Sequence, residues 1–235
     1  MRKSRFAWFI LMVGMTLVFE AVTAQKSPNQ LLRGVYLKMM KVKDYSVDAS
    51  IKADIPLIKI LPVNATIYFK QPDKFKVKSK GIAILPRQGF SDFSGMIGDS
   101  NSFTAVFTGK ENIEKSAVQI ISLIPVVDTG ELILAKFWVD GKRNLVLKSQ
   151  LTTRSNGTIQ IEYSYFTQET YGLPDNMTFT LDVKKFKMPK AMSPNAKNRG
   201  SDSGTKQKEQ RKGTIHVALK NYKINQGLKN DFFIK

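Results

Sequence analysis

The chain has 235 residues with 37 Lys and Arg against 19 Asp and Glu, a formal net charge of +18 at pH 7, one histidine and no cysteine. The missing thiols exclude disulfide staples, thiolate metal sites and cysteine nucleophiles, and a lone imidazole, His216, excludes any centre built on two histidines. A basic excess of this size favours phosphate-rich partners, nucleic acid or anionic lipid headgroups, and the placement of the charge decides between them.

Arg2, Lys3 and Arg5 precede an apolar run over residues 6–19 that ends in the small-residue stretch Val22-Thr23-Ala24. This is the pattern of a secretory signal peptide, residues 1–24, cut after Ala24. The run is shorter than the roughly 20 residues that span a bilayer, although an uncleaved anchor is the competing reading. Residues 25–235 are then expected to form one soluble exported domain whose core is held by burial alone.

Along residues 28–41 the apolar positions Leu31, Leu32, Val35, Tyr36, Met39 and Met40 recur three and four apart, which predicts an amphipathic helix. Ser27 can cap it, with Pro28 at the first helical position. The period then changes to two. Tyr45, Val47, Ala49, Ile51, Ala53 and Ile55 alternate with polar residues, predicting a long strand with one dry face. Ile67 and Phe69 continue the alternation to a turn at Pro72-Asp73, and a strand over 74–84 follows. There Phe75 and Val77 hold the dry parity, while Lys70, Lys74, Lys76, Lys78 and Lys80 take the other side.

A second, short helix is expected near residues 89–97, where Phe90, Phe93, Met96 and Ile97 fall on one side among Gly89, Gly95 and Gly98. Further strands are expected near 116–124, 131–139, 143–153, 158–168, 177–183 and 214–222. Asp140-Gly141 and Asn156-Gly157 supply the positive φ of tight hairpins. Residues 184–212 carry ten Lys and Arg against Asp202 and Glu209 with little apolar content, so a mobile basic loop is expected over about 187–212. Nine strands against one clear helix expose more dry surface than a helix of about 14 residues, roughly 21 Å long, can cover. The sheet should therefore curl into a barrel or half-barrel plugged by the N-terminal helix.

No catalytic constellation stands out. The chain has no G-x-S-x-G, no H-E-x-x-H and no phosphate-cradling loop, since Gly109-Lys110 lacks the upstream glycine and the following hydroxyl. No metal or cofactor is expected, and a binding protein is favoured over an enzyme, a lipid-modifying hydrolase included. Nucleic acid is disfavoured because Phe69 and Phe75 share the dry parity, leaving only Tyr68 to stack a base. The basic side reads as a solvated outer face, attracted to anionic membranes at about 1 kcal/mol per Lys near the surface. The dry side is the candidate for binding.

The predicted helix, the strand over 45–55, Phe69-Lys70-Gln71-Pro72-Asp73-Lys74-Phe75 and the paired hairpins FWVDGKRNLVLKSQLTTRSNGTIQIEYSYF together resemble the LolA/LolB family of periplasmic lipoprotein carriers. The resemblance implies a mainly β, α+β fold: an incomplete antiparallel barrel closed by the N-terminal helix and a short lid helix. Its hydrophobic interior would carry lipoprotein acyl chains, or lipid, from an inner-membrane release complex to an outer-membrane acceptor, as a monomer. Candidate cavity residues are Val47, Ala49, Ile51, Ala53, Ile67 and Phe69, with Phe75, Val77, Ile159, Ile161 and Tyr163, all of which are also ordinary core positions. Candidate lid residues are Leu32, Val35 and Met39 on the helix, and Phe90, Phe93, Met96 and Ile97.

Three features depart from the family pattern. Gln71 stands where LolA typically has an arginine that ties the lid, and Gln cannot make the same charged, multidentate contacts. Residues 85–112 lack the usual aromatic strand pair, and the basic loop is extra. Without a cysteine to acylate, a soluble carrier like LolA fits better than an anchored acceptor like LolB. The alternative is a periplasmic sensor or structural domain of the same fold with a filled interior, binding a protein partner through its surface.

Overall fold

A computed structural model describes residues 26–56, 60–81, 83, 85, 96–99, 101–127, 130–182 and 212–234. The expected signal peptide, Phe90, Phe93 and nearly all of the expected basic loop lie outside the described residues.

Helix α1 (Pro28–Met39) begins at a capping box: the Gln30 N–H donates to Ser27 Oγ, and the Ser27 N–H donates to Gln30 Oε1. Leu31, Leu32 and Val35 are its buried residues. Ten strands follow: β1 (Asp44–Asp54), β2 (Val63–Lys70), β3 (Lys74–Ser79), β4 (Phe103–Ile113), β5 (Ser116–Pro125), β6 (Leu132–Asp140), β7 (Leu145–Thr153), β8 (Gly157–Ser164), β9 (Asn176–Asp182) and β10 (Lys212–Ile224). They form one antiparallel sheet in the order β3-β2-β1-β10-β9-β8-β7-β6-β5-β4. The sheet is curved and unclosed, with β3 and β4 at its two edges.

Two meanders, β1 to β3 and β4 to β10, are joined where β1 pairs with β10, for example Ile51 with Val217. The link from β3 to β4 is therefore a crossing between opposite edges and not a hairpin. Ala83 and Leu85 on that link pack against one apolar cluster, Met96 and Ile97 against another, and residues 96–98 are helical. The first cluster is built by β1, β2, β8, β9 and β10 around Val47, Ile67, Ile161, Phe179 and Ile215. The second joins α1 to β5, β6 and β7 around Leu31, Val35, Ile121, Phe137 and Val139. A smaller cluster gathers Val118, Trp138, Leu145 and Leu147.

The structure corrects the sequence reading in three places. Strand β4, which residues 85–112 were not expected to contain, is an edge strand with a register shift between Phe107 and Gly109. The shift swaps its facing parity partway along, so no single dry face shows in the alternation. β3 stops at Ser79, short of the expected 84. In the β6–β7 hairpin the left-handed residue is Asn144 (φ 53), not Gly141. Gly157 does adopt positive φ (70) after a three-residue loop, as Asn156-Gly157 predicts.

Candidate apolar binding site

The second apolar cluster is capped by α1, whose seat on the β6–β7 hairpin is set by side-chain size. A Cβ on Gly141 would stand 2.7 Å from Leu31 Cδ2, and one on Gly34 would stand 2.5 Å from Asn144 Oδ1. Glycine at both positions lets helix and hairpin touch backbone to side chain. Polar ties hold the ends of the helix: Lys26 Nζ donates to the Gly141 carbonyl at 3.3 Å, and Lys38 Nζ to the Arg143 carbonyl at 2.6 Å.

The hairpin tip is itself braced. Arg143 pairs with Asp140 at 2.8 Å and with Glu169 at 3.4 Å, and donates to Ser116 Oγ at 3.0 Å. Burial alone would push the Asp140 carboxyl up, but the Arg143 side chain and the N–H groups of Arg143 and Lys142 outweigh it and hold it below the ordinary carboxylate range. Burial lowers the Lys38 ammonium, against the raising pull of Glu169.

Under the last turns of α1 lies a hollow of about 70 Å³. Val35 and Met39 roof it, Val42, Phe69, Leu173, Met177 and Leu219 supply apolar wall, and five of the chain's seven tyrosines, Tyr45, Tyr163, Tyr165, Tyr171 and Tyr222, also line it. Three hydroxyls are engaged: Tyr163 with Ser149 Oγ (2.9 Å), Tyr165 with the Val146 carbonyl (2.8 Å) and Tyr222 with the Pro174 carbonyl (2.7 Å). Burial pushes the phenols of Tyr45, Tyr163, Tyr165 and Tyr222 up, so all remain protonated donors at neutral pH. Gln71 stands at the wall and donates from Nε2 to the Val42 carbonyl at 2.6 Å, tying the β2–β3 turn to the α1–β1 link through a neutral contact.

On the opposite flank of α1 a groove of about 400 Å³ runs between Leu32, Tyr36 and Leu37 of the helix, residues 96–99, and Phe103, Ala105 and Leu123 of β4 and β5. The helix thus sits between two underfilled spaces on an apolar sheet face. No family model matches the sequence, and a search of curated proteins finds no match. Solved structures do match. A domain described as an outer membrane lipoprotein-sorting protein from Vibrio parahaemolyticus aligns at TM-score 0.57 and 8% identity over 88% of this chain and 96% of that one. A LolA superfamily protein from Nitrosomonas europaea aligns at TM-score 0.56 and 10% identity over 90% and 99%. A DUF1329 family protein from Desulfovibrio piger aligns at TM-score 0.52 and 11% identity over 88% and 98%.

The fold is LolA-like.

Within this LolA-like sheet the residues singled out from sequence divide into three groups. Phe69, Tyr163, Gln71, Val35 and Met39 meet at the hollow, whereas Leu32, Met96 and Ile97 meet at the groove. Val47, Ala49, Ile51, Ala53, Ile67, Ile159 and Ile161 pack in the first cluster, with Phe75 and Val77 half-buried at its margin. Sequence reasoning did not single out Tyr45, Tyr165, Tyr171, Tyr222 and Asn144. The local signals were the i, i+2 spacing of Tyr163 and Tyr165 and the dry parity of Tyr45; Tyr45, Tyr171, Tyr222 and Asn144 converge from four further elements.

The outer face of the LolA-like sheet is partly covered. Lys70 Nζ donates to the Leu228 carbonyl and Lys76 Nζ to the Phe232 carbonyl, both at 2.5 Å, while the Phe232 ring lies against Tyr68 and under Lys76 and Lys78. The tail is held from its other side by the buried Asp44 carboxylate, which accepts the N–H groups of Gln226, Gly227 and Leu228. His216 is exposed on β10, and among the described residues no cluster of three or more His, Cys, Asp or Glu could hold a metal. Among the same residues no helix is long and apolar enough to cross a membrane.

Proposed function

We propose that this protein is a periplasmic carrier that shields the acyl chains of lipoproteins, or of other lipids, during transfer from the inner to the outer membrane. The observation that carries the reading is the position of α1, an apolar plug on the sheet with a hollow on one flank and a groove on the other. The hollow of about 70 Å³ is walled mainly by apolar side chains, and hydrocarbon buried there would gain about 0.8 kcal/mol per methylene. The same volume holds only about five water molecules, far less than a long acyl chain. A long acyl chain needs more room than this, so loading requires α1 to lift from the β6–β7 hairpin.

Transfer would involve a membrane release complex and an acceptor, with the basic outer lysines assisting transient contact with an anionic surface. Like the sequence, this reading assigns a binding role and no chemistry. Native mass spectrometry of protein purified without detergent, with uptake of a fluorescent acyl probe, tests it. Co-purifying acyl lipid and saturable uptake are expected; a lipid-free protein that takes up no probe overturns it. A sensor or structural domain that binds a protein is the second reading, favoured by the edge strand β4, where Val106 and Phe107 are each 39% exposed.

A further inference from the structure

Among the tyrosines of the hollow, Tyr45 differs in one respect. It is only 5% exposed, its ring stacks on Phe69 at 5.3 Å and meets Tyr222 edge-on at 5.6 Å, yet its hydroxyl has no hydrogen-bond partner. No fully buried side-chain nitrogen or oxygen among the described residues lacks a partner, so this unengaged hydroxyl is open to the hollow that its ring lines, where a partner would sit. The wall offers further unused capacity at Gln71, whose amide engages the Val42 carbonyl through Nε2 alone, leaving its side-chain oxygen free. Among the described residues no Lys, Arg, His, Asp or Glu lines the hollow. A ligand with an ionised end would bury that charge without a counter-ion, a severe desolvation cost, whereas a neutral carbonyl needs only one donor.

We propose that the hollow is a recognition subsite for the neutral carbonyl of an acyl ester or amide, with Tyr45 as the hydrogen-bond donor and the first carbons of the chain against Phe69, Met177 and Leu219. This rests on the carrier reading and adds to it a ligand class: acylated glycerol or amine over free fatty acid. The hollow of about 70 Å³ accommodates the carbonyl and the first few carbons, and the rest of the chain takes the space that α1 vacates.

Competition against a bound fluorescent acyl probe tests the assignment, using the full mature chain with 1-decanoylglycerol and decanoate at pH 7.5. The glycerol ester should compete at least about tenfold more strongly than the carboxylate, a ratio set by the uncompensated charge. Tyr45→Phe keeps the ring packing and should weaken ester competition about fivefold, the worth of one hydrogen bond, while its Tm stays level or rises. Tyr68→Phe, on the outer face where its ring lies against Phe232, is the matched control and should leave both competition curves unchanged. Equal competition by ester and acid, or an unchanged ester affinity in Tyr45→Phe, overturns this inference while leaving the carrier reading standing. Failure of the unmodified chain to bind the probe at all overturns both.

Discussion

Gly141 marks the closest approach of α1 to the sheet, and its importance is steric: Leu31, whose methyl would meet the new Cβ at 2.7 Å, is 1% exposed and has nowhere to turn. Gly141→Ala should therefore cost about 1–3 kcal/mol by overpacking, measured as a lower urea midpoint with unchanged m. Gly130→Ala is the matched control, because a Cβ there meets nothing within 4 Å. It should be neutral or slightly stabilising through loss of unfolded-chain freedom. A cost at both sites would show that the helix seat is not what Gly141 protects. Asp44 illustrates a different local economy: a buried carboxylate that accepts three consecutive N–H groups, Gln226 to Leu228, and so anchors a tail 182 to 184 residues later in the chain.

At the scale of the element, the β6–β7 hairpin is both the seat of α1 and an ionisable brace. Asp140 is depressed in the folded state, because contacts with Arg143 and backbone N–H groups outweigh its burial. A carboxyl shifted in that direction adds stability above its unfolded value near about 4 and loses it as pH falls through the lower folded value. Melting temperature should thus decline below about pH 4, and Asp140→Asn, less stable at neutral pH, should decline less steeply over that window. Parallel acid profiles for the two proteins would remove Asp140 from the brace. The arrangement also explains why the tip needs no tight glycine turn: Asn144 takes the left-handed position, and the loop is shaped by the Asp140 carboxylate accepting the N–H groups of residues 142 and 143.

For the whole molecule the deciding question is whether α1 leaves its seat. A Cβ on residue 34 would stand 3.7 Å from Asn144 Cβ, inside the span of about 3.5–4.5 Å that a disulfide requires. The chain has no cysteine, so Gly34→Cys with Asn144→Cys introduces the one possible bridge. Oxidised, the double variant should lose acyl-probe uptake; reduced, it should recover it. Uptake that is equal in both redox states would mean that lipid enters without displacing α1.

The alternation of apolar and polar residues was sufficient by itself to predict α1, nine of the ten strands and the dry faces of β1, β2 and β3, because amphipathic period is a local property. It also pointed to a barrel or half-barrel, since the count of dry strands exceeds what one helix can cover. Strand β4 escaped it because an edge strand with a bulge packs on neither face consistently. The Tyr45 subsite escaped it for another reason. Tyr45, Gln71, Asn144, Tyr171 and Tyr222 come from separate elements and converge only when β1 pairs with β10 and α1 folds back on the β6–β7 hairpin. Which apolar residues fill a core and which surround a hollow depends on how closely two surfaces approach, and that distance exists only in the tertiary structure.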